Sequence, residues 1–114
     1  MKDLKVTFDF NEEADVLHIS LGTNEPSFCE EVDDVLLVER GYFSNQITGF
    51  QIMDVKYHKI EKVQVTAFVQ KALRKEKQQF QAYLKEKSQQ VPAMIANGLT
   101  RNKRIRRILE EAEA

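Results

Sequence analysis

The chain has 114 residues, which is room for one domain with an appended helical segment and excludes a large two-domain enzyme. Hydrophobic residues make up 42% of it and charged residues 31%, with 4 Gly and 2 Pro, so fibrous and disordered classes are excluded. The longest apolar runs are a few residues long, against the roughly 20 that a membrane-spanning helix needs. We therefore expect a soluble globular protein.

The net charge of −1 hides a strong asymmetry between the two halves of the chain. Residues 1–60 hold 5 Lys and Arg against 12 Asp and Glu, whereas residues 61–114 hold 12 against 6, so the halves carry −7 and +6. Either the basic half docks on the acidic half of its own or a sister chain, or each half meets a different partner. A nucleic acid would be attracted by the second half alone.

The first half has the apolar pattern of β-strands. The predicted strands are residues 4–10, 16–21, 32–38 and 47–55. Between the first two strands, the turn-forming segment 11–15 predicts a hairpin, and Gly22 to Cys29 is predicted to be a loop. The sequence therefore predicts a domain over residues 2–55 that is a four-stranded antiparallel meander.

From about residue 61 the apolar spacing changes to that of a helix, and we treat 61–114 as a helical C-terminal extension. The stripe consists of Val65, Val69, Leu73, Phe80 and Leu84. It predicts a long amphipathic helix over about 66–88, with Thr66 as N-cap. This stripe is interpreted as core or as the seam of a homodimer, since one sheet needs a cover for its apolar face.

A short basic helix is predicted to end the chain. Val91-Pro92 predicts a break in the helical pattern, and Asn97-Gly98 has the form of a helix C-cap. Thr100 is then the expected N-cap of a last helix that runs through Glu110. The predicted fold class is therefore α+β, with the meander followed by a long helix and a short basic one.

Part of the strand region resembles a known family. The segment Phe10–Ile19 (FNEEADVLHI) resembles the run that opens the family catalogued as domain of unknown function twenty-two eighty-three. Glu30–Leu37 (EEVDDVLL) is similar to the acidic approach to its third strand, and Ile47–Asp54 (ITGFQIMD) to its closing strand. The resemblance covers about residues 4–55 and implies a small β-meander without assigned catalytic residues. Because members are often encoded beside small toxin-like proteins, it also implies an antitoxin-like or partner-binding role.

Patterns that would indicate an enzyme are missing from the sequence. Cys29 is the single cysteine, so no intramolecular disulfide forms and a cytosolic location is expected. Neither a Gly-x-Ser-x-Gly motif nor a phosphate-binding glycine loop occurs, and an Asp54–His58 contact would be no triad. The acidic run Glu30–Asp34 is interpreted as a solvated rim or a dock for a basic helix, with a divalent-metal site as the weaker alternative. We predict no catalytic residues, no metal and no cofactor.

The strongest local signal is a basic cluster of five cations within seven residues. Its members are Arg101, Lys103, Arg104, Arg106 and Arg107. Such a cluster binds phosphates, lies along an acidic protein surface, or is a solvated helix face whose apolar side packs on the core. Docking on protein is the favoured interpretation, because base-stacking aromatic residues do not accompany the cluster.

Aromatic and helical apolar side chains are the candidate partner-binding residues. Two of them lie at a predicted hairpin tip, where exposed aromatic side chains anchor interfaces unless Phe43 tucks under the sheet. The full set is Tyr42, Phe43, Phe80, Tyr83, Leu84, Ile105 and Ile108. The leading hypothesis is a non-enzymatic, homodimeric protein-binding module, antitoxin-like, acting by helix docking. The alternative is a nucleic-acid-binding regulator that uses the basic cluster.

Overall fold

The computed structural model of the chain describes residues 5–22, 25–76 and 81–113. Within them, five strands form one antiparallel sheet and three helices follow it. The strands are β1 (Thr7–Asn11), β2 (Val16–Ser20), β3 (Ser27–Glu31), β4 (Leu36–Gly41) and β5 (Ile47–Met53). The helices are α1 (Lys62–Glu76), α2 (Gln81–Arg101) and α3 (Lys103–Glu113). No helix in this part of the chain has the length and apolar character needed to cross a bilayer.

The strands are ordered β1-β2-β5-β4-β3. The α+β class is confirmed, but the four-stranded meander is wrong in both strand number and order. Residues 27–29, predicted as the end of a loop, belong to the edge strand β3, which pairs with β4. The prediction missed it because one side of an edge strand faces water, and β3 carries polar side chains at three of its five positions. The second strand then pairs with β5 rather than with its successor in the chain.

One face of the sheet carries the hydrophobic core. The sheet contributes side chains that alternate along the three central strands: Leu17, Ile19, Leu36, Val38, Phe50 and Ile52. The helices cover this face with Val65, Val69, Leu73, Val91, Ile95, Leu99, Ile105, Ile108 and Leu109. Since sheet and helices bury their apolar side chains against one another, they share a single core in the described residues.

The first helix begins four residues earlier than predicted. Gln64 Oε1 accepts a hydrogen bond from the Glu61 backbone N–H at 2.7 Å, which is half of a capping box. Thr66 is therefore no N-cap, and its hydroxyl donates to the Lys62 carbonyl at 3.3 Å inside the helix. The predicted single helix over 66–88 is two helices, since α1 ends at Glu76 and α2 begins at Gln81.

The two long helices pack side by side in opposite directions. Lys62 Nζ, in the first turn of α1, contacts Thr100 Oγ1, in the last turn of α2. α2 continues through Pro92 and Gly98, so the predicted break and C-cap are both wrong. A Cβ at Gly98 would overlap the Phe8 ring, so this glycine allows α2 to pack closely on β1.

The break between α2 and α3 falls at Asn102. Its Oδ1 accepts a hydrogen bond from the Ile105 backbone N–H at 3.1 Å, so Asn102 is the N-cap of α3. Thr100, the predicted N-cap, instead donates its hydroxyl to the Ala96 carbonyl at 3.0 Å within α2. Asn and Thr are both preferred at N-caps, and the neighbouring sequence does not indicate which of the two begins the helix. The predicted start is therefore two residues too early.

Candidate functional site

A turn between β4 and β5 presents two aromatic side chains to solvent. Tyr42 is 64% exposed and Phe43 is 82% exposed, the largest value among the large apolar side chains described. The ring of Tyr42 lies 5.0 Å from that of Phe28 on β3, so Tyr42 is supported by the sheet. Phe43 points away from the core, which answers the alternative that it tucks under the sheet.

One carboxylate oxygen holds this turn in shape. Glu25 Oε1 accepts hydrogen bonds from the backbone N–H of Phe43 at 3.2 Å, and from the N–H and hydroxyl of Ser44 at 3.1 and 3.0 Å. These bonds, chiefly that from the Ser44 N–H, hold the pKa of Glu25 below its ordinary value. The exposed Phe43 is therefore displayed on a turn of fixed geometry. Glu25 was not among the predicted site residues, because it lies 18 positions from Phe43 in the chain.

The other predicted partner-binding residues are placed differently. Ile105 is 2% and Ile108 6% exposed, because both pack in the chain's own core. Neither side chain is therefore available to a partner in this fold. Phe80 lies outside the described residues. Tyr83 and Leu84 lie on the described backbone of α2, but their side chains are outside the description. Of the predicted residues whose side chains the structure describes, Tyr42 and Phe43 are thus the two on the surface.

All five side chains of the basic cluster are exposed. Arg104 is held against β1, where Nη2 donates to the Phe10 carbonyl at 3.2 Å and Nη1 lies 3.9 Å from an Asp9 carboxylate oxygen. Arg106 Nε lies 3.8 Å from Glu110 one turn further along α3. The cluster is therefore on the surface. Arg101 ends α2, and the other four cations lie on α3 opposite the buried Ile105 and Ile108.

Three cations of the cluster join a fourth from a distant segment in a shallow depression of about 400 Å³, here called the basic cleft. It lies between α3, the β1–β2 turn and the turn after β5. The lining residues are Glu12, Lys56, Lys103, Arg104, Arg107 and Ile108. Sequence reasoning missed Lys56 and Glu12, because no spacing rule connects them with a helix more than 45 residues away. Arg101 and Arg106 lie outside the lining.

The charges of α3 run against its dipole. The first turn of a helix favours acids and the last turn favours bases, by about 0.3–1 kcal/mol for each charge. Helix α3 begins with Lys103 and Arg104, has no acid in its first turn and has no base in its last. This order opposes helix stability and concentrates positive charge at the end of α3 that borders the basic cleft.

A polar network lies on the opposite face of the sheet. His18 Nε2 pairs with a carboxylate oxygen of Glu39, and Gln51 Nε2 lies 3.5 Å from the same Glu39 oxygen. This hydrogen bond raises the pKa of His18 above its ordinary 6.5 and lowers the pKa of Glu39 below its ordinary 4.5. The two pKa shifts together favour a protonated His18 beside an ionised Glu39.

The Cys29 thiol, a potential nucleophile, lies beside this network. Gln51 Nε2 lies 3.5 Å from its sulfur. Partial burial, followed by the charge of Glu39, raises the pKa of the Cys29 thiol. A raised pKa keeps the sulfur protonated at neutral pH, which is the opposite of what a catalytic thiolate needs.

Two acids of the predicted rim, Glu30 and Asp33, make separate structural contacts. Glu30 pairs with Arg40 at 3.1 Å, and Asp33 pairs with Lys71 at 2.9 Å, a hydrogen bond that lowers the pKa of Asp33. Asp54 lies 3.8 Å from His58, as the spacing suggested. Among the residues that the structure describes, no three His, Cys, Asp or Glu side chains are close enough to hold a metal ion.

The chain matches no protein-family model, no curated protein and no solved structure. The resemblance of residues 4–55 to the family of unknown function therefore stays a prediction.

Proposed function

We propose that the chain is a non-enzymatic protein-binding module and that Phe43 is its main anchor. The observation that carries this proposal is an 82% exposed Phe on a turn that one Glu25 oxygen braces with three hydrogen bonds. Burying a Phe side chain contributes about 1.5–3 kcal/mol of favourable free energy, and this contribution is absent while Phe43 is exposed. Aromatic anchors of this kind dominate the energetics of protein interfaces.

The fixed turn supports binding in a second way. Association is opposed by the ordering of side chains and loops, and a segment already held in its bound conformation avoids most of that cost. Tyr42, resting on Phe28, supplies a rigid aromatic wall beside Phe43. The complementary surface is an apolar pocket on a partner that admits one phenyl ring. A hairpin tip seated in such a pocket would mask it sterically, which is how an antitoxin-like partner acts.

Self-association is proposed alongside, and the sheet edges limit how it can occur. β3 is an edge strand with Glu30 and Glu31 near its end. Acidic side chains on an edge strand disfavour its pairing with a further strand. The proposed homodimer would therefore use the helical layer or the other edge strand, β1.

The test is capture of the partner by a tagged chain from its native lysate, treated with nuclease. We expect a stoichiometric small protein that wild type retains and that Phe43→Ala binds about thirtyfold or more weakly. Tyr57→Ala is the matched control, because Tyr57 is 80% exposed but lies on the turn after β5. Equal capture by wild type and Phe43→Ala, with both variants folded by circular dichroism, would falsify the anchor.

A nucleic-acid-binding regulator is the second candidate, and the exposure of all five cations of the basic cluster favours it. Contacts to phosphates release counterions, so the logarithm of affinity falls linearly with the logarithm of salt concentration. A steep slope for an oligonucleotide, together with recovery of nucleic acid that disappears on nuclease treatment, would select this candidate. A flat slope would reject it.

A further inference from the structure

We propose that the basic cleft is a binding site for a small ligand that carries a phosphate group. The cleft is formed by the β1–β2 turn, the turn after β5 and helix α3, and it does not include Phe43. This inference is therefore independent of the proposed protein-binding function.

The charge of the cleft is the first argument. Its lining brings together Lys56, Lys103, Arg104 and Arg107, and among the described lining residues Glu12 is the one acid. The lining residues thus carry three positive charges in excess around a volume of about 400 Å³, and Asp9, outside the lining, lies 3.9 Å from Arg104. Small-molecule sites have volumes of about 300–1,000 Å³, so the space suits a phosphate with a small organic group.

Two of the four cations are held in place before any ligand binds. Arg104 Nη2 donates to the Phe10 carbonyl at 3.2 Å, and Lys56 Nζ lies 5.6 Å from the centre of the Phe10 ring. The turn that carries Lys56 is fixed by Asp15, whose carboxylate accepts the N–H of Lys56 at 2.9 Å and that of Tyr57 at 3.0 Å. Two cations from segments almost 50 residues apart are therefore positioned around the same buried Phe.

The number of cations, rather than their type, favours phosphate over a carboxylate. Two of the four are arginines, whose planar guanidinium binds either anion with two parallel hydrogen bonds. The first turn of α3 adds the positive end of the helix dipole to the same region. A dianionic group would offset the excess charge of the lining and relieve the unfavourable charge order of α3.

The surroundings of the cleft favour a small ligand over a nucleic-acid strand. A strand extending from the cleft would pass the acids Asp9 and Glu12 on its β1 side. No aromatic ring occurs among the described residues that line the cleft, so bases would find no stacking platform there. A single phosphate group avoids both difficulties.

The experiment is titration calorimetry of the full chain with inorganic phosphate and with glycerol 3-phosphate, at constant ionic strength set with potassium chloride. The variants are Arg107→Gln, Lys56→Gln and the matched control Arg106→Gln, which removes the same charge from the same helix outside the cleft. We expect one saturable site that the first two variants weaken by about tenfold each and the control by less than about twofold.

Either phosphate source supports the site, and the tighter of the two identifies free phosphate or a phosphate monoester as its ligand class. Equal weakening by Arg106→Gln and Arg107→Gln would overturn it, since diffuse surface charge would then explain the binding. A short single-stranded oligonucleotide that binds while neither phosphate compound does would also overturn it, in favour of a polyanion surface. Melting temperatures within a few degrees of wild type establish that each variant is folded.

Discussion

The carboxylate of Glu39 reaches His18 by lying over Gly49. His18 is on β2 and Glu39 on β4, and β5 runs between them. A Cβ at Gly49 would lie 3.3 Å from the Glu39 carboxylate oxygen and 2.7 Å from the Ile19 carbonyl oxygen. A glycine at this position therefore allows an ion pair to form across an intervening strand, on the face of the sheet away from the helices.

This pair predicts a defined dependence of folding stability on pH. The pKa of His18 is raised in the folded chain, so its contribution is fully present below 6.5 and is lost as pH rises through the raised pKa. The pKa of Glu39 is lowered, so its contribution is present above 4.5 and is lost as pH falls through the lowered pKa. The pair is most stabilising between these two ordinary values. The His18 side chain is 39% exposed, and solvent screening keeps the effect modest.

Urea denaturation of wild type and His18→Gln across this pH range measures the effect. We expect the stability difference between them to be largest between 4.5 and 6.5 and to shrink on the alkaline side. His58→Gln is the control, since it removes the other histidine. A stability difference that does not change with pH would show that the pair carries no proton-linked free energy.

The contact between Gly98 and Phe8 predicts an unusual glycine substitution. In a helix interior Gly→Ala is normally stabilising by about 1 kcal/mol. Gly98→Ala should instead be neutral or destabilising, because its methyl group would overlap the Phe8 ring. In a Phe8→Ala background the same substitution should recover the normal gain. A double-mutant cycle by chemical denaturation checks this, and additive effects would contradict the close approach of α2 to β1.

The start of α3 provides a third prediction. Asn102→Ala should lower the free energy of unfolding by about 0.5–2 kcal/mol, because it removes the hydrogen bond that caps the Ile105 N–H. Thr100→Ala, at the site predicted from sequence, should cost less, since its hydroxyl bonds back to a carbonyl within α2. Thermal unfolding of the two variants ranks them, and the opposite order would place the helix boundary at Thr100.

Periodicity was sufficient for the class of the fold and for most of its core. The alternation in β2 and β5 and the stripe of Val65, Val69 and Leu73 correspond to buried side chains. Edge strand β3 was not predicted, because its exposed side chains are polar and interrupt the apolar pattern by which a strand is identified. The predicted C-cap at Gly98 was wrong for a different reason. A glycine that ends a helix cannot be told in sequence from one that leaves room for a neighbouring ring.

The site residues also divide into those that follow from local sequence and those that depend on contacts between distant segments. Exposure of the basic cluster follows from local composition, and the sequence indicated it. For Phe43 the sequence left open whether the ring is exposed or lies under the sheet. Glu25, Lys56 and the His18–Glu39 pair depend on contacts between segments that are 18 to more than 40 residues apart. Without an alignment of related chains, such pairs have no signal in a single sequence.

The position of β5 in the sheet also determines the order in which the chain can fold as it is synthesised. β5 is the last strand made, yet it lies between the β1–β2 hairpin and the β3–β4 hairpin. Neither hairpin can join the other until residue 53 has left the ribosome, and the apolar face stays uncovered until the helices follow. Each hairpin depends on contacts between neighbouring segments, so the docking of β5 between them is the long-range step that completes the sheet.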